Sequence, residues 1–112
     1  KSLSRYLGII EATPEFYKGC MESPQDRKEV LNPMFEAFGG SLEEYWFGVG
    51  ENNIYVVLQF PDDLVSVEAL SMAICASGIM VKSRLVPILT SAEAVSAMKK
   101  AREIAYSPPS SG

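Results

Sequence analysis

The sequence predicts an α+β fold: one four-stranded antiparallel sheet with helices against one of its faces. Three observations carry this expectation. Ser41 to Asp63 reads as a hairpin, two strand-like runs around a glycine- and asparagine-rich turn. Two further apolar runs, 5–12 and 79–89, have the length and composition of strands. Helix-starting and helix-stopping residues separate these runs, giving the order β-α-β-β-α-β-α.

The first run, RYLGIIEA from Arg5 to Ala12, is apolar almost throughout, which suits a central strand buried on both faces. Thr13-Pro14 starts a helix, with Thr13 as cap and Pro14 at the first helical position. Ser23-Pro24 reads as a second start, with Asp26 completing a capping-box pattern. The helix expected from Ser23 to Phe38 buries Val30, Leu31, Met34, Phe35 and Phe38, and Pro33 predicts a kink near residues 29–33. Gly39-Gly40 ends it.

In the hairpin, a two-residue loop within Gly50 to Asn53 sets which residues share a face. Tyr45, Phe47 and Val49 then join Ile54, Val56, Leu58 and Phe60 under the helices. The opposite face carries Glu44, Trp46, Gly48, Tyr55, Val57 and Gln59. After Pro61, Asp62 or Asp63 caps a helix running to about Ala76, and Gly78 stops it. Pro87 places the last strand, 79–89, at an edge, because proline cannot donate to a ladder. Thr90 with Glu93 forms another capping-box pattern ahead of a helix at about 91–104.

Right-handed crossovers turn this order into a ferredoxin-like β-α-β-β-α-β sandwich with strand order 4-1-3-2 and an extra C-terminal helix. The chain reads as a single domain over 1–105 followed by a flexible tail, 106–112.

Composition narrows the function. A net charge of −4 with no basic cluster argues against nucleic acid and anionic membrane surfaces. No apolar run approaches the roughly 18 residues of a membrane span, and none has signal-peptide form. Cys20 and Cys75 form no metal-spaced motif and read as packed, reduced thiols, so a cytoplasmic location is expected. The chain opens at Lys1 rather than Met, so a short N-terminal piece is expected to be missing. With no histidine, imidazole ligands and Ser-His-Asp or Cys-His chemistry are excluded, and any base must be a carboxylate, lysine, tyrosine or cysteine. Glu43-Glu44, Glu51 and Asp62-Asp63 fall on different faces and elements, so no metal site is expected. Gly48-Val49-Gly50 lies in a strand and turn, so no phosphate loop or cofactor is expected.

Several segments resemble the GYD domain family. They are Gly39-Gly40-Ser41-Leu42, YWFGVGENNIYVV from Tyr45 to Val57, Pro61-Asp62-Asp63, Ala76-Ser77-Gly78, PILTSAE from Pro87 to Glu93, Met98-Lys99-Lys100-Ala101, and YSPP from Tyr106 to Pro109. The resemblance implies a fold of the ferredoxin-like, dimeric α/β-barrel type and no known activity. This chain departs from the family at its naming motif, where Asn52-Asn53 stand in place of Tyr-Asp. Asparagine tolerates positive φ, so Asn52-Asn53 retains a turn role and loses any acid-base role.

The leading functional expectation is a homodimeric small-molecule binding or sensing domain. Its apolar pocket lies between sheet and helices, with Tyr6, Met34, Phe35, Tyr45, Phe47 and Arg84 as candidate ligand-binding residues. The dimer forms through Trp46, Tyr55, Val57, Val86 and Ile88, an apolar patch that helices on one side leave uncovered. One alternative is a cofactor-independent enzyme of the monooxygenase or isomerase kind. In it Arg84, beside Tyr55 or Trp46, orients an oxyanion, and Glu11 or Glu44 is the base. The other is a structural or regulatory assembly subunit.

Overall fold

A computed structural model describes residues 2–110. Its elements are β1 (Leu3–Ala12), α1 (Pro14–Glu22), α2 (Arg27–Ala37), β2 (Ser41–Phe47), β3 (Asn53–Pro61), α3 (Leu64–Ala76), β4 (Met80–Ile88) and α4 (Ser91–Ala101). The strands form one antiparallel sheet in the order β2-β3-β1-β4, the expected ferredoxin-like arrangement with β1 and β3 in the middle. β4 is an edge strand, as Pro87 requires. No helix is long and apolar enough to cross a membrane among the described residues.

Alternation along the strands separates two faces. Tyr6, Ile10 and Ala12 of β1 and Ile54, Val56, Leu58 and Phe60 of β3 are buried under the helices, with Leu42, Phe16, Phe35 and Leu70. α2 lies over β2, and α3 over β3 and β4. The other face is open. Leu7, Ile9 and Glu11 of β1 are only half-buried there, so the expectation of burial on both faces is not met within one chain.

Local signals hold with instructive exceptions. Asp63 caps α3 through the Ser66 amide, and Thr90 and Glu93 make a complete capping box on α4. The helix expected from Ser23 starts later: Ser23 ends α1, and Asp26 caps α2 through the Lys28 amide. Pro33 sits inside α2. Thr13 makes no side-chain cap, because its hydroxyl donates to the Ile79 carbonyl at 3.0 Å and ties the end of β1 to the start of β4. α4 is shorter than expected, ending at Ala101.

The hairpin turn also departs from expectation. Phe47↔Ile54 is the last strand pair and the Gly48 amide still donates to the Asn53 carbonyl at 3.0 Å, so the loop is the four residues 49–52 rather than two. Gly50, at φ 81°, supplies the left-handed position, and no described non-glycine residue has positive φ. Asn52 instead fastens the loop to β1: its carbonyl accepts from the Ala12 amide at 2.9 Å, and its Nδ2 donates to the Ala12 carbonyl at 3.3 Å. Face parity survives the longer loop, since Tyr45 pairs with Val56 and Phe47 with Ile54. A bulge at Glu43 then breaks the alternation and turns Leu42 into the core. The Leu42 amide donates to Asn32 Oδ1 of α2 at 2.8 Å.

Beyond β4 the chain leaves this body. α4 buries none of its residues and exposes Val95 and Met98. Residues 102–110 are exposed without regular structure over 104–110; the last two residues of the expected tail lie outside the described residues. The radius of gyration, 17.7 Å, exceeds the roughly 13 Å of a compact chain of this length, in keeping with a projecting arm.

Candidate ligand cavity

α2 and α3 do not close over the sheet. α3 turns small residues, Ser66, Ala69, Ala73 and Ser77, toward the space beside α2. α2 contributes Arg27, Leu31, Met34, Phe35 and Phe38, and the sheet floor includes Ile10, Leu42, Tyr45, Val56, Leu58 and Leu85. The result is a cavity of about 430 Å³, almost wholly apolar. The space is a groove open to solvent rather than an enclosed void, with Met34 and Phe38 exposed at its rim. It falls within the roughly 300–1,000 Å³ range of small-molecule sites.

Of its polar side chains, Ser66 and Ser77 donate to Asp63 and to the Ile74 carbonyl, which leaves Arg27 and Tyr45. Arg27 opens α2, and no acidic side chain lines the cavity beside it. Tyr45 reaches in from β2, just past the Glu43 bulge. Arg27 Nε and the Tyr45 hydroxyl are shielded from solvent and lack hydrogen-bond partners. Burial pushes the Tyr45 phenol up to about 12, while the facing Arg27 charge draws it the other way.

Met34, Phe35 and Tyr45 of the expected binding set line this cavity. Three others do not. Tyr6 is packed into the core between Leu58 and Pro87 on neighbouring strands. Phe47 stacks on Phe16 with ring centroids 6.3 Å apart, at the other end of β2. Arg84 pairs with Ile9, so its side chain belongs to the open face, across the sheet from the cavity. Sequence reasoning passed over Arg27, although the signal was present. Residues 27, 31, 34, 35 and 38 repeat at helical spacing, so Arg27 is the one charge on an otherwise apolar stripe.

The groups proposed for enzyme chemistry are not assembled. Glu44 is exposed, Glu11 is half-buried on the open face, and no acidic residue is buried among the described residues. Glu43 and Glu93 are carboxylates held below the usual range. Glu43 is lowered mainly by its hydrogen bond from Arg5, with Nε at 2.8 Å, and Glu93 by the Thr90 cap. A second cleft, at the root of α4, is lined by Arg5, Gln59 and Glu93, and its charges already answer one another. Both cysteines are free; Cys20 is half-buried, but Cys75 is exposed rather than packed.

On the open face, Trp46 pairs with Tyr55, and Val57, Leu7 and Val86 continue the apolar surface across the sheet. Trp46 is 60% exposed, and Tyr55 donates to Glu51 Oε1 at 2.8 Å.

Fold and cavity together define a ferredoxin-like α+β domain with a recess between its helices and sheet. The GYD domain family matches residues 6–98, and the chain belongs to that family. No curated protein and no solved structure matches the chain.

Proposed function

We propose that this chain is a homodimeric small-molecule binding or sensing domain whose ligand lies between α2, α3 and the sheet. The cavity of about 430 Å³ carries this reading. Ser66, Ala69, Ala73 and Ser77 of α3 line it beside Leu70 and Ile74, and these small side chains leave space that larger ones would fill. An apolar ligand would gain roughly 25 cal/mol for each Å² removed from water there.

Self-association through the open face is the second part of the reading. Leu7, Ile9, Tyr55, Val57, Val86 and Ile88 are half-buried beside the exposed Trp46, and a second copy is the commonest cover for such a patch. The root of α4 supports it. Glu93, in the first turn, reaches Arg5 on the open face at 3.9 Å, so the arm leaves from the rim that a partner would meet. An isolated helix of 11 residues is marginal in water, which favours contact with that partner.

Native mass spectrometry of protein purified without denaturation tests the cavity. A bound small molecule is expected, lost when Ala73→Trp fills the space. Persistence of the adduct in the filled variant places the ligand elsewhere. Sedimentation tests the dimer, and a mass of 12.3 kDa at high micromolar concentration refutes it.

A further inference from the structure

The ligand's chemistry is written in the polar end of the cavity. A guanidinium donor enclosed without an acceptor is unfavourable, since desolvation of a charged group goes uncompensated. Arg27 Nε is shielded and without an acceptor, although the side chain as a whole is only part-buried, and the Tyr45 hydroxyl beside it is likewise unpartnered. The chain itself supplies no counter-charge. The cavity lining contains no Asp or Glu, and the neighbouring Asp26 is exposed, with its carboxylate engaged by the Lys28 amide at 3.0 Å. What the site lacks is an acceptor carrying negative charge.

We propose that the cavity takes an apolar molecule with one anionic head, an alkanoic or arylalkanoic acid, whose carboxylate accepts from Arg27 and Tyr45 while its body lies along α3. The inference rests on the cavity reading above and names its ligand class. A carboxylate matches the planar donor fork of arginine. A single cation suits a monoanion; a dianionic phosphate would keep an unmatched charge. The remainder of the lining, Leu31, Phe35, Leu70 and Ile74 among it, is apolar apart from Ser66 and Ser77, whose hydroxyls donate to Asp63 and to the Ile74 carbonyl. Tyr45 stays protonated far above neutral pH and so serves as a donor to the head.

Isothermal titration of the full chain with decanoate, decan-1-ol and acetate tests this, with 4-phenylbutanoate and its alcohol as an aryl pair. Each acid is expected to bind roughly tenfold or more tightly than its alcohol, the worth of a charge-assisted hydrogen bond. Acetate, having no body, should bind far more weakly. Arg27→Gln should bring acid binding down to the level of the alcohol, with a cooperative thermal unfolding transition reporting that the variant is folded. Arg27→Lys should keep part of the preference, and Tyr45→Phe should weaken acid binding several-fold. Equal binding of acid and alcohol to the native chain overturns the inference and leaves the cavity reading standing. A preference that survives Arg27→Gln overturns the assignment of the head group. Binding of neither acid nor alcohol overturns the cavity reading, and this inference with it.

Discussion

The two faces of the sheet are made from the same strands and end differently. On β1, Tyr6, Ile10 and Ala12 disappear beneath the helices, while Leu7 and Ile9, equally apolar, remain half-exposed. On β3, Leu58 is 1% exposed and its neighbour Val57 is not enclosed. Hydrophobicity therefore does not distinguish the faces; the crossovers do. The crossovers put α1, α2 and α3 on one side and leave the other open. The covered face is also incompletely filled. One face thus offers an internal recess and the other an external surface, and each can be disturbed separately.

The largest effect is expected from Leu58→Ala, which should lower unfolding stability by about 2–5 kcal/mol in denaturant titration. Val57→Ala, one residue along on the open face, should cost about 1 kcal/mol or less when measured on monomer. Equal costs would break the distinction between faces. Asn32→Ala comes next. It strips the acceptor from the Leu42 amide beside the bulge, and a loss of about 1–3 kcal/mol is expected in the same titration.

Tyr45→Phe addresses the cavity alone. The native phenol is raised to about 12, so its contribution to stability is complete below the ordinary tyrosine value and is lost as pH rises toward about 12. The Phe variant should show a shallower alkaline fall in thermal midpoint between these limits. Trp46→Asp addresses the open face alone. It should change monomer stability by about 0.5 kcal/mol or less, yet reduce the sedimenting mass to the 12.3 kDa of one chain. A variant that stays dimeric moves the interface away from Trp46.

The smallest effect belongs to Glu43. Its carboxyl is held below the usual range chiefly by the Arg5 hydrogen bond, so its contribution is present near neutrality and disappears as pH falls through the lowered folded value. The pair is part-buried, with side chains 29% and 31% exposed, and solvent still screens it. Glu43→Gln should therefore flatten only slightly the acid limb of a stability profile, an effect that added salt should erase.

Much of the architecture is legible in the sequence. Alternation in the hairpin placed Tyr45 and Phe47 with Val56 and Ile54, and Pro87 put β4 at an edge. The Asp63 and Thr90 caps were readable because capping is local hydrogen-bond chemistry within one turn. The Ser23 start was misread because two cap-capable residues compete within four positions, and the winner, Asp26, depends on where α1 runs out. Asn52 looks locally like a turn former. Its bonds go to Ala12, 40 residues away, a contact no local pattern encodes.

The candidate site was legible only in part. Met34, Phe35 and Tyr45 could be placed on the covered face from periodicity. Whether a covered residue packs solidly, as Tyr6 does, or faces a space depends on the volumes brought opposite it by another element. The small residues of α3 leave the space, and they lie more than 20 positions from the tyrosine that faces them.

By itself, the sequence determined the order of elements, their capping and which residues share a face, because these follow from short-range sterics and from the periods of helix and strand. Tertiary structure alone decided three things: the gap between α2 and α3, the meeting of Arg27 with Tyr45, and the exposure of α4. Each depends on how far apart whole elements settle, and that distance is set by side-chain volumes summed across the interface rather than by any one stretch of chain.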